Sequence, residues 1–264
     1  MKAIFDIEKI KRNREWAEAH SDGHDFLHVR AIERMIDNLS DIQRDFENIL
    51  IIGDIKIDLL NLNFNNKNIN LIKFIDFLGL KINQGEFDCV LIAPCIHLIN
   101  DVVGFLQMMK AALKPDGLFM CSFFGGNSLQ ELRASILEAE VEMLGGASQH
   151  IHPMIDHYQF AGLLQSIGFA LPVVDFDRVV VEYSDLENLY TDLRNMGESN
   201  ALLNRNSNIN KLKQDIEIKY KNKFYNSGFM ATFDIVHGIG WAPHSSQQQP
   251  AKRGSGQVSL TEIL

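Results

Sequence analysis

The sequence predicts an α/β fold: a mostly parallel sheet with an antiparallel last strand, preceded by N-terminal helices. Three observations predict it. Residues 86–126, EFDCVLIAPCIHLINDVVGFLQMMKAALKPDGLFMCSFFGG, read as strand, loop, helix, turn and strand. The runs at 48–54 and 89–93 are apolar without alternation, as strands covered on both faces are. The run at 229–236 follows a charged amphipathic helix and supplies the closing strand.

Taken in order, residues 8–19 form a basic, mostly polar helix and SDGHD at 21–25 a turn. Residues 26–37 put Leu27, Ala31, Ile32, Met35 and Ile36 on roughly one face, so two helices are expected to pack on the sheet. His24 and His28 are four apart, but a metal pair needs further ligands that the sequence does not place, and no metal is expected. NILIIGD at 48–54 is the first buried strand. Strand-like runs resume at 57–64 and 69–77, divided by the Asn-rich turn 65–68. A parallel crossover needs about a dozen residues or more. From Gly53 to Ile57 there is no room for one, so hairpin-like connections or irregular extended segments are expected.

Within 86–126, Pro94 ends the strand and Asn100 or Asp101 caps a helix in which Val102, Phe105, Leu106, Met109 and Leu113 recur at helical spacing. Lys114-Pro115-Asp116-Gly117 stops that helix. The strands it joins are expected to be parallel, with ligands beyond their carboxyl ends at 94–100 and 125–127. Residues 129–144 form a helix ended by Gly145-Gly146, on which Arg133 reads as a surface residue before a pocket one. QHIHP at 149–153 is a loop with His150 and His152 on opposite sides, open to proton transfer, hydrogen bonding or plain packing. A helix at 154–167 closed by Gly168 follows, then strand-like pieces at 172–177 and 179–183 and a helix at 186–196. The polar loop 197–200 carries Glu198, with Ser199 or Asn200 as a helix cap the plainer reading. A charged helix at 212–220 precedes the last strand. From Gly238 the composition turns to Trp, Pro, Ser, Gln and Gly and reads as an irregular tail. The expected organisation is N-terminal helices at 1–46, an α/β domain at 47–237 and the tail at 238–264.

At 264 residues the chain can bury a sizeable core, and one domain with additions is the expected arrangement. A net charge of −9 argues against general nucleic-acid binding. No apolar run approaches the ~20 residues that cross a bilayer. Cys89, Cys95 and Cys121 lack metal-type spacing and fit buried thiols in a reducing compartment. The N-terminal stretch mixes acids with bases and has no long apolar core, which speaks against a secretory signal, and a cytoplasmic location is the default expectation.

The strings FDCV, IHLIND, LKPDG and FFGG resemble the second half of the class I S-adenosylmethionine (SAM) dependent methyltransferase fold, a Rossmann-like architecture. GGNSLQELR (125–133), QHIHP (149–153), MGESN (196–200), GWAPH (240–244) and PAKRGS (250–255) resemble one branch of it, the methyltransferase-like assembly factors of respiratory complex I and their bacterial relatives. The likeness runs from residue 5 to the C-terminus. It implies SAM as cofactor, with Gly53 and Asp76 on the cofactor side, and His97, Asn127, His150 and Glu198 as catalytic candidates facing substrate. It also implies a protein partner, a complex I subunit, and a link to hydroxylation of an arginine on such a subunit. One region departs from the family. Where a glycine-rich turn lets the cofactor approach a helix N-terminus, this chain has Gly53-Asp54-Ile55-Lys56-Ile57, with only Gly53 matching. The first half is therefore expected to be truncated and the cofactor site degenerate. Three functions follow: a SAM-dependent methyltransferase, a non-catalytic protein-binding assembly factor on a decayed methyltransferase scaffold that uses no SAM, or oligomerisation alone.

Overall fold

A computed structural model describes residues 3–54, 67–204 and 207–248. Helices α1 (Ile7–His20) and α2 (Phe26–Ser40) precede the strand β1 (Asn48–Ile52). Then come β2 (Asn68–Ile72), the one-turn α3 (Phe74–Phe77), β3 (Phe87–Ile92), α4 (Val102–Ala112) and β4 (Leu113–Gly125). The second half holds α5 (Gln130–Leu144), α6 (His157–Ile167), β5 (Ala170–Tyr183), α7 (Leu186–Asn195), α8 (Lys213–Phe224) and β6 (Phe229–Trp241). The six strands form one sheet in the order β2-β1-β3-β4-β6-β5. The first four are mutually parallel, and β6, the last in sequence, is antiparallel to both of its neighbours. This is the α/β class and sheet pattern expected from the sequence.

Alternation along each strand feeds two faces. Leu50, Ile52, Val90, Ile92, Phe119 and Cys121 pack under α4 and α6. Ile49, Ile51, Cys89, Leu91, Leu118 and Met120 pack under α2. Farther along that second face, Phe124, Phe233 and Ile235 meet α5, α7 and α8. Helix starts follow local chemistry. Asp101, not Asn100, caps α4 by accepting from the Gly104 amide at 3.0 Å, and Asp156 with Gln159 forms a capping box on α6. Asn100 instead fixes the entry to α1, its Oδ1 accepting from the amides of Ile4 and Phe5 at 2.6 and 2.9 Å. No helix among the described residues is long and apolar enough to cross a membrane.

One expectation lies outside the described residues and one is corrected. β1 pairs with β2 in parallel register, from Asn48 opposite Asn68 to Ile52 opposite Ile72. The strand-like run at 57–64, and with it the hairpin-like connections read through it, lies outside the described residues. Between β2 and β3 the described residues hold only the single helical turn α3. The correction concerns the tail expected at 238–264, because β6 continues through Trp241. Its glycines read as loop, yet they make room for neighbours. A Cβ on Gly238 would stand 2.5 Å from Phe160 Cε1, and one on Gly240 3.1 Å from Phe169 Cβ.

Gly53 closes β1 at φ 144°, and a Cβ there would lie 2.6 Å from the Ala93 carbonyl oxygen. The glycine lets the ends of β1 and β3 approach. Gly53→Ala is therefore expected to destabilise the fold by about 1–3 kcal/mol, read as a lower urea midpoint at unchanged slope.

Candidate functional site

Three distant segments converge on one buried carboxylate beyond the carboxyl ends of the parallel strands. Glu198 follows α7, after Gly197 turns the chain at φ 79°. A Cβ on Gly197 would stand 3.2 Å from both Ala17 Cβ and Asn13 O, so the glycine also lets α1 come close. Glu198 Oε1 accepts from Arg14 Nη2 of α1 at 2.8 Å and from His28 Nε2 of α2 at 3.1 Å. Its Oε2 accepts from His97 Nε2, after β3, at 2.8 Å. Arg14 also donates to Pro94 O at 3.3 Å and Met196 O at 3.4 Å, and its Nε faces Asp54 Oδ2 at 3.5 Å.

Burial by itself would push the Glu198 carboxyl up. The adjoining His97 and Arg14, with the hydrogen bonds from His28 and His97, outweigh it and hold the group well below its usual 4.5. Burial likewise opposes the Arg14 charge, and Glu198 and Asp54 more than restore it. His28 is pushed down by burial, which its bond to Glu198 does not offset. Phe124 covers the cluster, its ring centroid 5.4 Å from that of His28 and 5.3 Å from that of His97.

The cluster separates two cavities. The smaller, of about 190 Å³, lies at the ends of β1 and β2 and is lined by Arg14, Asp25, His28, Gly53, Asp54 and Lys73, among others. The larger, of about 650 Å³, is lined by Phe124, His150, His152, Tyr190, Glu198 and Phe233, among others. Arg14 and His28 face one side and Glu198 the other, so their hydrogen bonds are the partition. The turn that leads from β4 into α5 forms another wall of the larger cavity. There Leu129, a buried non-glycine residue, is held at φ 57°, and the Ser128 hydroxyl donates to the Gly125 carbonyl at 2.8 Å while accepting from the Asp234 amide at 2.9 Å. Strain of this kind persists where surrounding bonds over-determine it. His152 Nε2 accepts from the Ala201 amide at 3.0 Å, which requires a neutral ring. Burial pushes this imidazole down to about 4.

The residues anticipated from the sequence are distributed unevenly. His97 and Glu198 are hydrogen-bonded to each other, and His150 shares the larger cavity with Glu198. His150 also bonds the fully buried Glu140 at 2.7 Å. Asn127 is exposed, with its backbone amide on Asp234 at 3.1 Å, and it lines neither cavity. Gly53 lines the smaller cavity, whereas Asp76 is exposed on α3 and lines neither. Sequence reasoning does not bring Arg14, His28 or Glu140 to the site. A signal exists for two of them: Arg14 falls between Ile10 and Ala17 on the buried stripe of α1, and Glu140 falls four residues after Ile136 on the buried face of α5. His24 and His28 hold no shared ligand, since His24 pairs with Asp192 at 2.6 Å. Ser122, His237 and Asp177 have the composition of a hydrolytic triad. Ser122, however, is sealed in the sheet, and His237 Nε2 stands 3.9 Å from Asp177.

This fold, with a polar cluster beyond its parallel strand ends, defines a methyltransferase-type scaffold, and comparison agrees. A family model described as a methyltransferase domain matches residues 7–172. Arginine-hydroxylase NDUFAF5, mitochondrial, of Danio rerio is 32% identical over 289 residues, covering 98% of this chain and 89% of the relative. The Mus musculus protein of the same name is 34% identical over 291 residues, with 98% and 83% covered. A solved structure of a candidate methyltransferase from Bacillus halodurans aligns with a TM-score of 0.51 at 11% identity over 80% of this chain and 99% of that one, a likeness of fold alone. The chain belongs to the methyltransferase-domain family, in the group that includes the arginine-hydroxylase NDUFAF5 proteins.

Two outcomes follow from the buried charges. Glu198→Gln leaves the buried Arg14 with only the more distant Asp54 as counter-ion and is expected to cost about 3–5 kcal/mol, measured by chemical denaturation. His152 sits at about 4 against its usual 6.5, so between those values the unfolded chain binds a proton that the native chain does not. Stability should therefore fall as pH drops through that window, by about 3 kcal/mol when complete, with His28 adding in the same direction. Glu198 contributes above 4.5 and is lost only below it. Urea midpoints at successive pH values should show a shallower slope for His152→Asn.

Proposed function

We propose that this chain acts on a protein partner through its larger cavity, on a methyltransferase scaffold that makes little or no use of SAM. The occupant we infer is an arginine side chain of that partner, the residue for which its arginine-hydroxylase relatives are named. By the resemblance read in the sequence, the partner is a complex I subunit. The observation that carries this reading is the Arg14–Glu198 partition. On its cofactor side it leaves about 190 Å³, below the ~300–1,000 Å³ of ordinary ligand pockets. On its other side stand about 650 Å³.

The larger cavity has the chemistry of a cation site. Phe124, Tyr190 and Phe233 present aromatic walls, and Glu198 offers an ionised oxygen at the edge. The smaller cavity fits SAM poorly. Gly53 faces Ala93 closely, so its missing side chain serves strand packing, and the Asp54 carboxylate is directed at Arg14. A second reading, retained SAM binding, is favoured by one observation: residues 53–67 are long enough for a parallel crossover, so chain length alone does not remove the cofactor site.

Titration calorimetry with SAM and its demethylated product is expected to give a Kd weaker than ~1 mM. Low-micromolar binding overturns the reading. A peptide containing arginine is expected to bind at least ~10-fold more tightly than its citrulline counterpart, about 1.4 kcal/mol. Equal binding of the two removes arginine as the occupant.

A further inference from the structure

His150, which lines the same cavity, forms with Glu140 behind it a second polar pair, apart from the Glu198 cluster. Glu140 lies on α5 with no exposed surface, and its two oxygens are both engaged. Oε2 accepts from the Ser148 amide at 2.6 Å, and Oε1 meets His150 Nε2 at 2.7 Å. A carboxylate can only accept, so the hydrogen of the second bond sits on Nε2 of the ring. In a neutral imidazole the other nitrogen, Nδ1, then carries a lone pair and no hydrogen. That nitrogen has no hydrogen-bond partner among the described residues. Unlike His97 Nδ1, it is not among the sealed, unpartnered atoms of the interior. His150 lines the cavity of about 650 Å³ together with Ile136 and Met154, and the same three residues line a neighbouring cavity of about 460 Å³. The open nitrogen therefore keeps some accessible surface, on a residue that lines both cavities.

We propose that His150 is a ligand-contacting hydrogen-bond acceptor of this cavity and that Glu140 is its positioning residue. Glu140 commits the ring to one tautomer and one orientation, so Nδ1 receives an N–H or O–H donor of whatever side chain enters. The donor class includes a guanidinium, an amide or a hydroxyl. It excludes a bare carboxylate or a phosphate dianion, which would present lone pair to lone pair. This inference rests on the larger cavity being the partner site.

The experiment uses the full chain, labelled with ¹⁵N at its histidines, with His150 assigned by comparison with His150→Gln. Long-range proton–nitrogen spectra near neutral pH should show His150 as the Nε2–H tautomer with a bare Nδ1. Diethylpyrocarbonate should label His150 several times faster than the sealed His97, read by peptide mass spectrometry. In Glu140→Gln the amide can donate as well as accept, so the single tautomer should give way to a mixture. A wild-type ring in the Nδ1–H form, labelling no faster than at His97, or an unchanged spectrum in Glu140→Gln each overturns the proposal. Should Glu140→Gln fail to fold, the two wild-type measurements decide it alone. Added arginine peptide should slow the labelling. If tautomer and labelling are as expected and the peptide gives no protection, the inferred occupant fails while the His150–Glu140 pair stands.

Discussion

An ionised carboxylate with almost no solvent is tolerable only if its lost hydration is replaced, and the arrangement around Glu198 is organised by that need. Three donors replace it, and they come from α1, α2 and the loop after β3. Each must be delivered to within hydrogen-bond distance, which dictates much of the surrounding geometry. Gly197 admits α1, the Asn100 side chain fastens residues 4 and 5, and Phe5 bridges to Leu202 beside the Glu198 loop. The N-terminal helices are thus a wall of the site, and they do more than cover the sheet.

A scaffold shared with methyltransferases does not fix what the scaffold does. Here the strand ends at which such sheets receive ligands carry the chain's own ion cluster. The proposed consequence is a shift of the working surface from the β1 side, where Asp54 and Arg14 face each other, to the aromatic cavity bounded by β4, α5 and α7. The left-handed Leu129 and the doubly bonded Ser128 hold the wall of that cavity in a conformation its sequence alone would not favour.

Much of this fold can be read from sequence because its signals are local. The crossover from β3 through α4 to β4 declares itself by an apolar run, a cap at Asp101 and helical spacing, although α4 already ends at Ala112 and Lys114-Pro115-Asp116-Gly117, read as the turn that stops it, lies within β4. Sequence reading fails where the deciding interaction is distant. The glycines of β6 look like loop residues until Phe160 and Phe169 are seen packed against them. The partner of β1 cannot be chosen from spacing, since two apolar runs compete and pairing is a tertiary choice. Within the site, Glu198, His97 and His150 stand out in polar loops that resemble a known family. Arg14 and Glu140 do not, because a charged residue on a helix is ordinarily solvated, and only the burial of its helical face reveals otherwise.

The bond between Arg14 and Glu198 spans 184 positions of sequence. A loop of that length closes late, since the entropy of bringing its ends together is recovered only once the intervening elements have docked. During synthesis the ribosome must therefore release the second half of the chain before the first helix finds its counter-charge. Until then a guanidinium meant for the interior is left in water, and the partition between the two cavities does not yet exist.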